Sequence, residues 1–177
     1  MTGTCGSDLK EISCSIFKSS CLIFIAVFGA LATAWSMQLF FNMEPCELCL
    51  IERIPYYISL MVLFIIGLGY KLQWRSSILY SGIIIVALLL LSSGAVSAYH
   101  AGVEWKLWSG PSSCSGSNPL FNSSGTELLG KLKLTKIIRC DEPPFTLLGL
   151  SPAGWNVLFS ASLALLAVKS RKLFYLK

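Results

Sequence analysis

The chain has 177 residues, 54% of them hydrophobic and 13% charged, with a formal net charge of +5. A soluble domain has about a quarter of its residues charged, so this is the composition of a membrane protein and not of a chain with a large water-soluble core. No basic patch is interleaved with aromatic residues, which argues against nucleic acid as a partner. Four apolar segments follow in chain order, at about 21–41, 55–70, 78–99 and 152–168. At ~1.5 Å rise per residue the first and third are roughly 30 Å long and span a bilayer. The second and fourth lie near the lower limit of about 17 residues, and the second gains length if 49–54 continues it at the membrane edge. Ser151-Pro152 reads as an N-cap followed by proline at the first helical position. Ala32-Thr33-Ala34 resembles a signal-peptide cleavage site, but the apolar character runs on through Leu39-Phe40-Phe41, as a span requires.

The expected fold is therefore all-α: a four-transmembrane-helix bundle forming one domain over 1–177, with outer loops at about 42–54 and 100–151. Lys10, Lys18, Lys71, Arg75, Lys169, Arg171, Lys172 and Lys177 fall on one side of such a topology. Arg53, Lys106, Lys131, Lys133, Lys136 and Arg139 fall on the other. The richer side, which holds both termini, is expected to be the cytoplasm. Cys46, Cys49, Cys114 and Cys140 then face outward, in a bacterium into the periplasm, where disulfides persist. Cys5, Cys14 and Cys21 fall on the reducing side as unpaired thiols without an assigned role. Trp35, Trp74, Trp105, Trp108 and Trp155 lie near span ends, as an aromatic belt does.

The long outer loop is rich in Gly, Pro, Ser and Asn from Ser109 to Thr126 and is expected to be irregular around Cys114. Residues 127–139 mix leucines and isoleucines with lysines. They read as a short helix in the membrane interface, although Lys131-Leu132-Lys133-Leu134 also permits a strand.

Cys46-Glu47-Leu48-Cys49 is the chemical centre of the sequence. Zinc needs four ligands, and no second closely spaced pair accompanies this one, so no metal is expected. Haem attachment wants His after the second Cys, where Leu50 stands. A static disulfide across so small a loop would remove little chain entropy. Redox work is the remaining reading. If the backbone is helical after Pro45, Cys46 lies at a helix N-terminus, which favours thiolate. Arg53, four residues beyond Cys49, either snorkels to phosphate headgroups or stabilises an anion at the thiols. Pro55 interrupts a helix just beyond it. His100, the single histidine, is either a structural interfacial residue or a proton donor.

Taken together, Pro45-Cys46-Glu47-Leu48-Cys49 with Glu52-Arg53, Tyr99-His100-Ala101-Gly102-Val103-Glu104-Trp105, Cys114, Cys140-Asp141-Glu142, Leu148-Gly149-Leu150-Ser151 and Trp155-Asn156 resemble the disulfide bond formation protein B (DsbB) family. The resemblance runs from about Phe24 to Val168. It implies a bundle in the bacterial inner membrane that reoxidises a periplasmic DsbA-type thiol oxidase and passes two electrons to a quinone, ubiquinone or menaquinone. Carried over, it implies that Cys114 forms the mixed disulfide with the partner, Cys140 resolves it and exchanges with Cys46, and Cys49 meets the quinone beside Arg53 and His100. A DsbA-type disulfide lies near −120 mV against below about −300 mV for structural disulfides, a gap of about 8 kcal/mol for two electrons that a strongly oxidising acceptor must close. The competing readings are a quinone reductase of the vitamin K epoxide reductase type, whose Cys-x-x-C is expected near a later span, and a non-enzymatic metal-binding scaffold.

Overall fold

The computed structural model describes residues 5–111 and 140–175. Among these residues four helices follow one another: α1 (Cys5–Phe41), α2 (Glu47–Lys71), α3 (Ser76–Glu104) and α4 (Pro152–Tyr175). Each contains a stretch long and apolar enough to cross a membrane, at Ser13–Phe41, Glu47–Lys71, Ser76–Glu104 and Pro152–Ser170. Even the 19 residues in α4 rise about 28 Å, close to the thickness of a hydrocarbon core. The protein is a four-helix membrane bundle, as its composition implied.

All four helices are longer than the hydropathy pattern suggests, α1 and α2 the most. α1 starts at Cys5, not near residue 21, and its turns around residues 13–17 are held by neighbours. Ile16 is fully buried, Phe17 stacks on Tyr70 at 4.3 Å, and Ser13 Oγ lies 3.0 Å from Ser76 Oγ. α2 starts at Glu47 and runs through Pro55 without ending. The ring removes one backbone donor, and the flanking helical bonds together with tertiary packing carry the helix across the gap, as membrane helices commonly allow.

Hydrophobicity alone does not bring helices together inside lipid, so packing and polar contacts must. Ile23, Val27 and Leu31 of α1 meet Leu63 and Ile66 of α2, Ile83, Val86 and Leu90 of α3, and Leu163, Ala164 and Ala167 of α4 in one core. Phe28, Phe40, Met61, Phe64, Leu88 and Leu165 point outward, where lipid would cover them. α3 packs on both α2 and α4.

One end of the bundle collects the end of α1, the start of α2, the end of α3 and the start of α4. Ser151 caps α4 there as expected, its Oγ accepting from Gly154 N at 3.2 Å. Just before it, Leu147 and Leu150 exchange backbone hydrogen bonds around Leu148 (φ 55°) and Gly149 (φ 80°), a tight turn with both central residues left-handed. Beyond α3 the chain folds back, so that the Trp108 indole stacks on Tyr99 and donates to Tyr99 O at 2.9 Å. That return needs Gly102, where an added Cβ would sit 2.0 Å from Trp108 Cζ2. Cys114 and the 127–139 segment lie outside the described residues.

Gly102→Ala should therefore destabilise the folded chain by about 1–3 kcal/mol through overpacking. The penalty should shrink to below about 0.5 kcal/mol in a Trp108→Leu background. Thermal unfolding of the four chains in detergent measures both, and an equal loss in the two backgrounds would refute the contact.

Candidate functional site

Pro45 leads the chain into α2 in an extended conformation, and Cys46 is the N-cap, with φ −71° and ψ 167°. Its sulfur takes the place that a serine or aspartate oxygen usually holds, accepting from Cys49 N at 3.2 Å. The first turn then carries Cys49 round to the same side, so that both sulfurs lie together within 4.8 Å. Cys46 is buried and Cys49 half-buried, and both are free thiols. The thiol of Cys49, hydrogen-bonded to the Cys46 sulfur, holds Cys46 below its ordinary pKa; burial opposes this, the Cys49 N–H assists it, and the Glu52 carboxylate opposes it. The expectation of a thiolate-favouring helix N-terminus at Cys46 is met in this geometry.

His100 reaches the sulfurs from the last turns of α3. Its Nε2 lies 3.7 Å from Cys46 Sγ, and its Nδ1 lies 2.7 Å from Glu52 Oε1. His100 is 4% exposed, so near the end of α3 it makes its contacts inside the bundle. With Nδ1–H donated to the carboxylate, Nε2 is turned toward the thiols. Glu52 Oε2 accepts from Asn156 Nδ2 of α4 at 3.0 Å, and the same amide reaches Ser97 Oγ at 2.6 Å. Tyr56 donates to Asn156 Oδ1 and lies 2.7 Å from Ser160 Oγ. Ser93 Oγ donates to the backbone carbonyl of Glu52 at 2.9 Å. A charged side chain buried in a membrane bundle is costly unless its acceptor sites are filled, and here α3 and α4 fill them.

Arg53 points elsewhere. It is half-buried, and its Nη1 donates to Gln38 Oε1 of α1 at 3.0 Å. Nearby at the same rim, Trp35 Nε1 donates to Tyr57 Oη at 2.9 Å, a second tie between α1 and α2. Cys140 is 2% exposed, disulfide-bonded, and packed with Cys46 and Leu48, with Cys49 against the group. Of the predicted site residues the structure thus unites Cys46, Cys49, Cys140 and His100, and ties Arg53 to α1. Cys114 lies outside the described residues. At the opposite end, Cys14 is half-buried and Cys21 exposed, and neither is in a disulfide.

Glu52, Ser93, Ser97, Glu104 and Asn156 had no individual role in the sequence reading. A signal existed: Ser93, Ser97, His100 and Glu104 recur at helical spacing on one face of an otherwise apolar α3. Glu52 is likewise an acid within an apolar span.

Chemically the site offers two thiols, an imidazole aimed at them and a disulfide sulfur packed beside them, which is equipment for thiol–disulfide exchange with local proton transfer. A family model described as Disulfide bond formation protein DsbB matches residues 18–169. Disulfide bond formation protein B of Xylella fastidiosa is 29% identical over 158 residues, covering 86% of this chain and 88% of that protein. An uncharacterized protein of Rickettsia prowazekii is 30% identical over 154 residues, covering 84% of this chain and 82% of that protein. Disulfide bond formation protein B of Xanthomonas oryzae pv. oryzae is 28% identical over 160 residues, covering 87% and 90%.

Because the pKa of Cys46 is depressed, its thiolate forms as pH rises through a midpoint below that of an ordinary thiol. Alkylation of Cys46 in the reduced chain, followed by peptide mass spectrometry across pH, should reach half-maximal rate at lower pH than for a free cysteine. Cys49→Ala should move that midpoint upward, since it removes the main stabilising donor. An unmoved midpoint would show that the Cys49 thiol does not control Cys46.

Proposed function

The chain belongs to the DsbB family of disulfide bond formation proteins, and on that premise we propose that it is a thiol oxidase of the bacterial inner membrane, reoxidising a DsbA-type dithiol and handing two electrons to a membrane quinone. The observation that carries this reading is the packing of the disulfide-bonded Cys140 with the buried Cys46 and, beside it, the half-buried Cys49, with His100 Nε2 3.7 Å from Cys46 Sγ. The charge distribution supports cytoplasmic termini and a redox end in the periplasm.

The electrons balance in three exchanges. A reduced partner gives up two thiols to a Cys114–Cys140 disulfide and becomes oxidised, leaving Cys114 and Cys140 as thiols. Cys140 then attacks Cys46 of an oxidised Cys46–Cys49 pair, and closure of the Cys114–Cys140 bond leaves Cys46 and Cys49 reduced. Closing the Cys46–Cys49 bond again releases two electrons and two protons. A bound quinone supplies the two-electron, two-proton acceptor for that last exchange.

The residues present suit such a group. Cys49 is half-buried beside the lipid-exposed Leu50, Ile51 and Ile54, which gives an apolar molecule access from the bilayer. Arg53, held by Gln38, and His100 would supply donors to its oxygens. His100, anchored by Glu52, would accept a thiol proton at Nε2 and pass it on.

Purified chain with quinone should oxidise a reduced DsbA-type dithiol in a thiol-titration assay, and Cys49→Ser should abolish turnover. Cys140→Ser should accumulate one mixed disulfide between Cys114 and the partner. His100→Ala should lower kcat by about 10²–10⁴-fold if it transfers the proton. Full turnover in Cys49→Ser would end this assignment.

A further inference from the structure

The donor set around the two thiols is that of a metal site. Cys46 Sγ, Cys49 Sγ and one ring nitrogen of His100 all lie within 4.8 Å of one another. Ligands about 2.3 Å (sulfur) and about 2.0 Å (nitrogen) from a tetrahedral Zn²⁺ are separated by about 3.5 Å to 3.8 Å. The Cys46 Sγ to His100 Nε2 distance of 3.7 Å already falls in that interval. A buried carboxylate lies beside this triad, although outside the 4.8 Å group itself. Glu104 Oε1 lies 3.8 Å from His100 Nε2 in a side chain only 4% exposed. Its Oε2 is buried and has no hydrogen-bond partner. A buried carboxylate oxygen left unmatched is expensive in an apolar bundle, and a cation would satisfy it. Behind the ring, Glu52 Oε1 holds Nδ1 at 2.7 Å, the carboxylate–histidine pairing that orients a metal-binding imidazole.

We propose that the reduced Cys46–Cys49 pair, with His100, binds one thiophilic divalent cation of the Zn²⁺ type, and that formation of the Cys46–Cys49 disulfide expels it. Binding changes no oxidation state: the cation enters, up to two thiol protons leave to solvent, and both sulfurs become metal-bound thiolates. The absence of a second Cys-x-x-C, which spoke against zinc in the sequence, loses some of its force because α3 supplies His100 as a third ligand. With the cation bound, Cys46 could not exchange with Cys140 and Cys49 could not be oxidised, so the relay would stop at its reduced stage. That consequence rests on the proposed oxidase activity; the binding does not.

The test uses the full-length chain in detergent with Cys5, Cys14 and Cys21 replaced by serine, which removes thiols away from the site. Reduced protein is titrated with Co²⁺, read by thiolate charge-transfer and tetrahedral visible bands, and with Zn²⁺ against a chromophoric chelator. One ion per chain is expected in the reduced form. Protein carrying the Cys46–Cys49 disulfide should bind none, a control needing no substitution at the site. Cys49→Ser and His100→Ala should abolish the tetrahedral spectrum. Glu52→Gln should weaken Zn²⁺ by about 10–100-fold, as loss of an outer partner does. Equal binding by the oxidised form, or a tetrahedral spectrum that survives His100→Ala in a chain with unchanged helical circular dichroism, would overturn the proposal. A chain that binds the ion yet oxidises no dithiol would leave the metal site standing and remove the oxidase reading, and the reverse result would separate them the other way.

Discussion

The buried carboxylate of Glu52 is the constraint from which the outer half of the bundle follows. Its two oxygens are matched by His100 Nδ1 from α3 and Asn156 Nδ2 from α4. Its backbone carbonyl receives the Ser93 hydroxyl. Removing one partner of a buried charge typically costs about 3–5 kcal/mol, because the remaining charge is left uncompensated. The three helices therefore cannot slide or rotate at this level without an electrostatic penalty. Lower in the bundle the contacts are apolar and tolerate small shifts more readily. Register of the helices and orientation of His100 are thus one constraint, not two.

That constraint reaches the sulfurs through helix geometry. Glu52 stands three residues after Cys49 and six after Cys46, so fixing Glu52 fixes the first turn of α2. Cys46 then serves as N-cap, where its sulfur answers an N–H that would otherwise be unpaired at the membrane edge. The same bond makes capping and thiolate stabilisation a single interaction. α1 joins through Arg53–Gln38 and Trp35–Tyr57 at the rim, outside the carboxylate network. The Arg53 guanidinium, which the sequence allowed either to snorkel or to face the thiols, is tied by Gln38 to α1.

The four spans were legible because lipid demands long apolar runs, and the Ser151 cap because its chemistry is local. The start of α1 was not legible: polar residues such as Ser13 and Lys18 end a hydropathy window, while Ile16, Phe17 and Ser13 find partners on other helices. Pro55 misled for a related reason, since a local rule against proline yields where neighbouring turns are held. The Cys46–Cys49 pair stood out by its spacing. Glu52, Ser97 and Asn156 did not, because α3 and α4 are apolar on nearly every side and sequence alone cannot say which polar residue faces which helix. The metal geometry was hidden the same way, its ligands coming from helices 54 residues apart in sequence at Cys46 and His100.

The asymmetry between the two thiols bears on the direction of the proposed relay. Cys46 is the deeper sulfur, packed with Cys140 and held below the ordinary thiol pKa. Cys49 sits half-buried at the lipid-facing edge. A thiolate attacks and leaves more readily than a thiol, so the sulfur that must exchange with a neighbouring disulfide gains most from a depressed pKa. Access from the bilayer is what the other sulfur needs. In the proposed relay, Cys46 and Cys49 would divide the two requirements, protein-side exchange and lipid-side oxidation, across a single helical turn. A cation that bridged both would disable both functions at once, which is why the site can be arrested only while it is reduced.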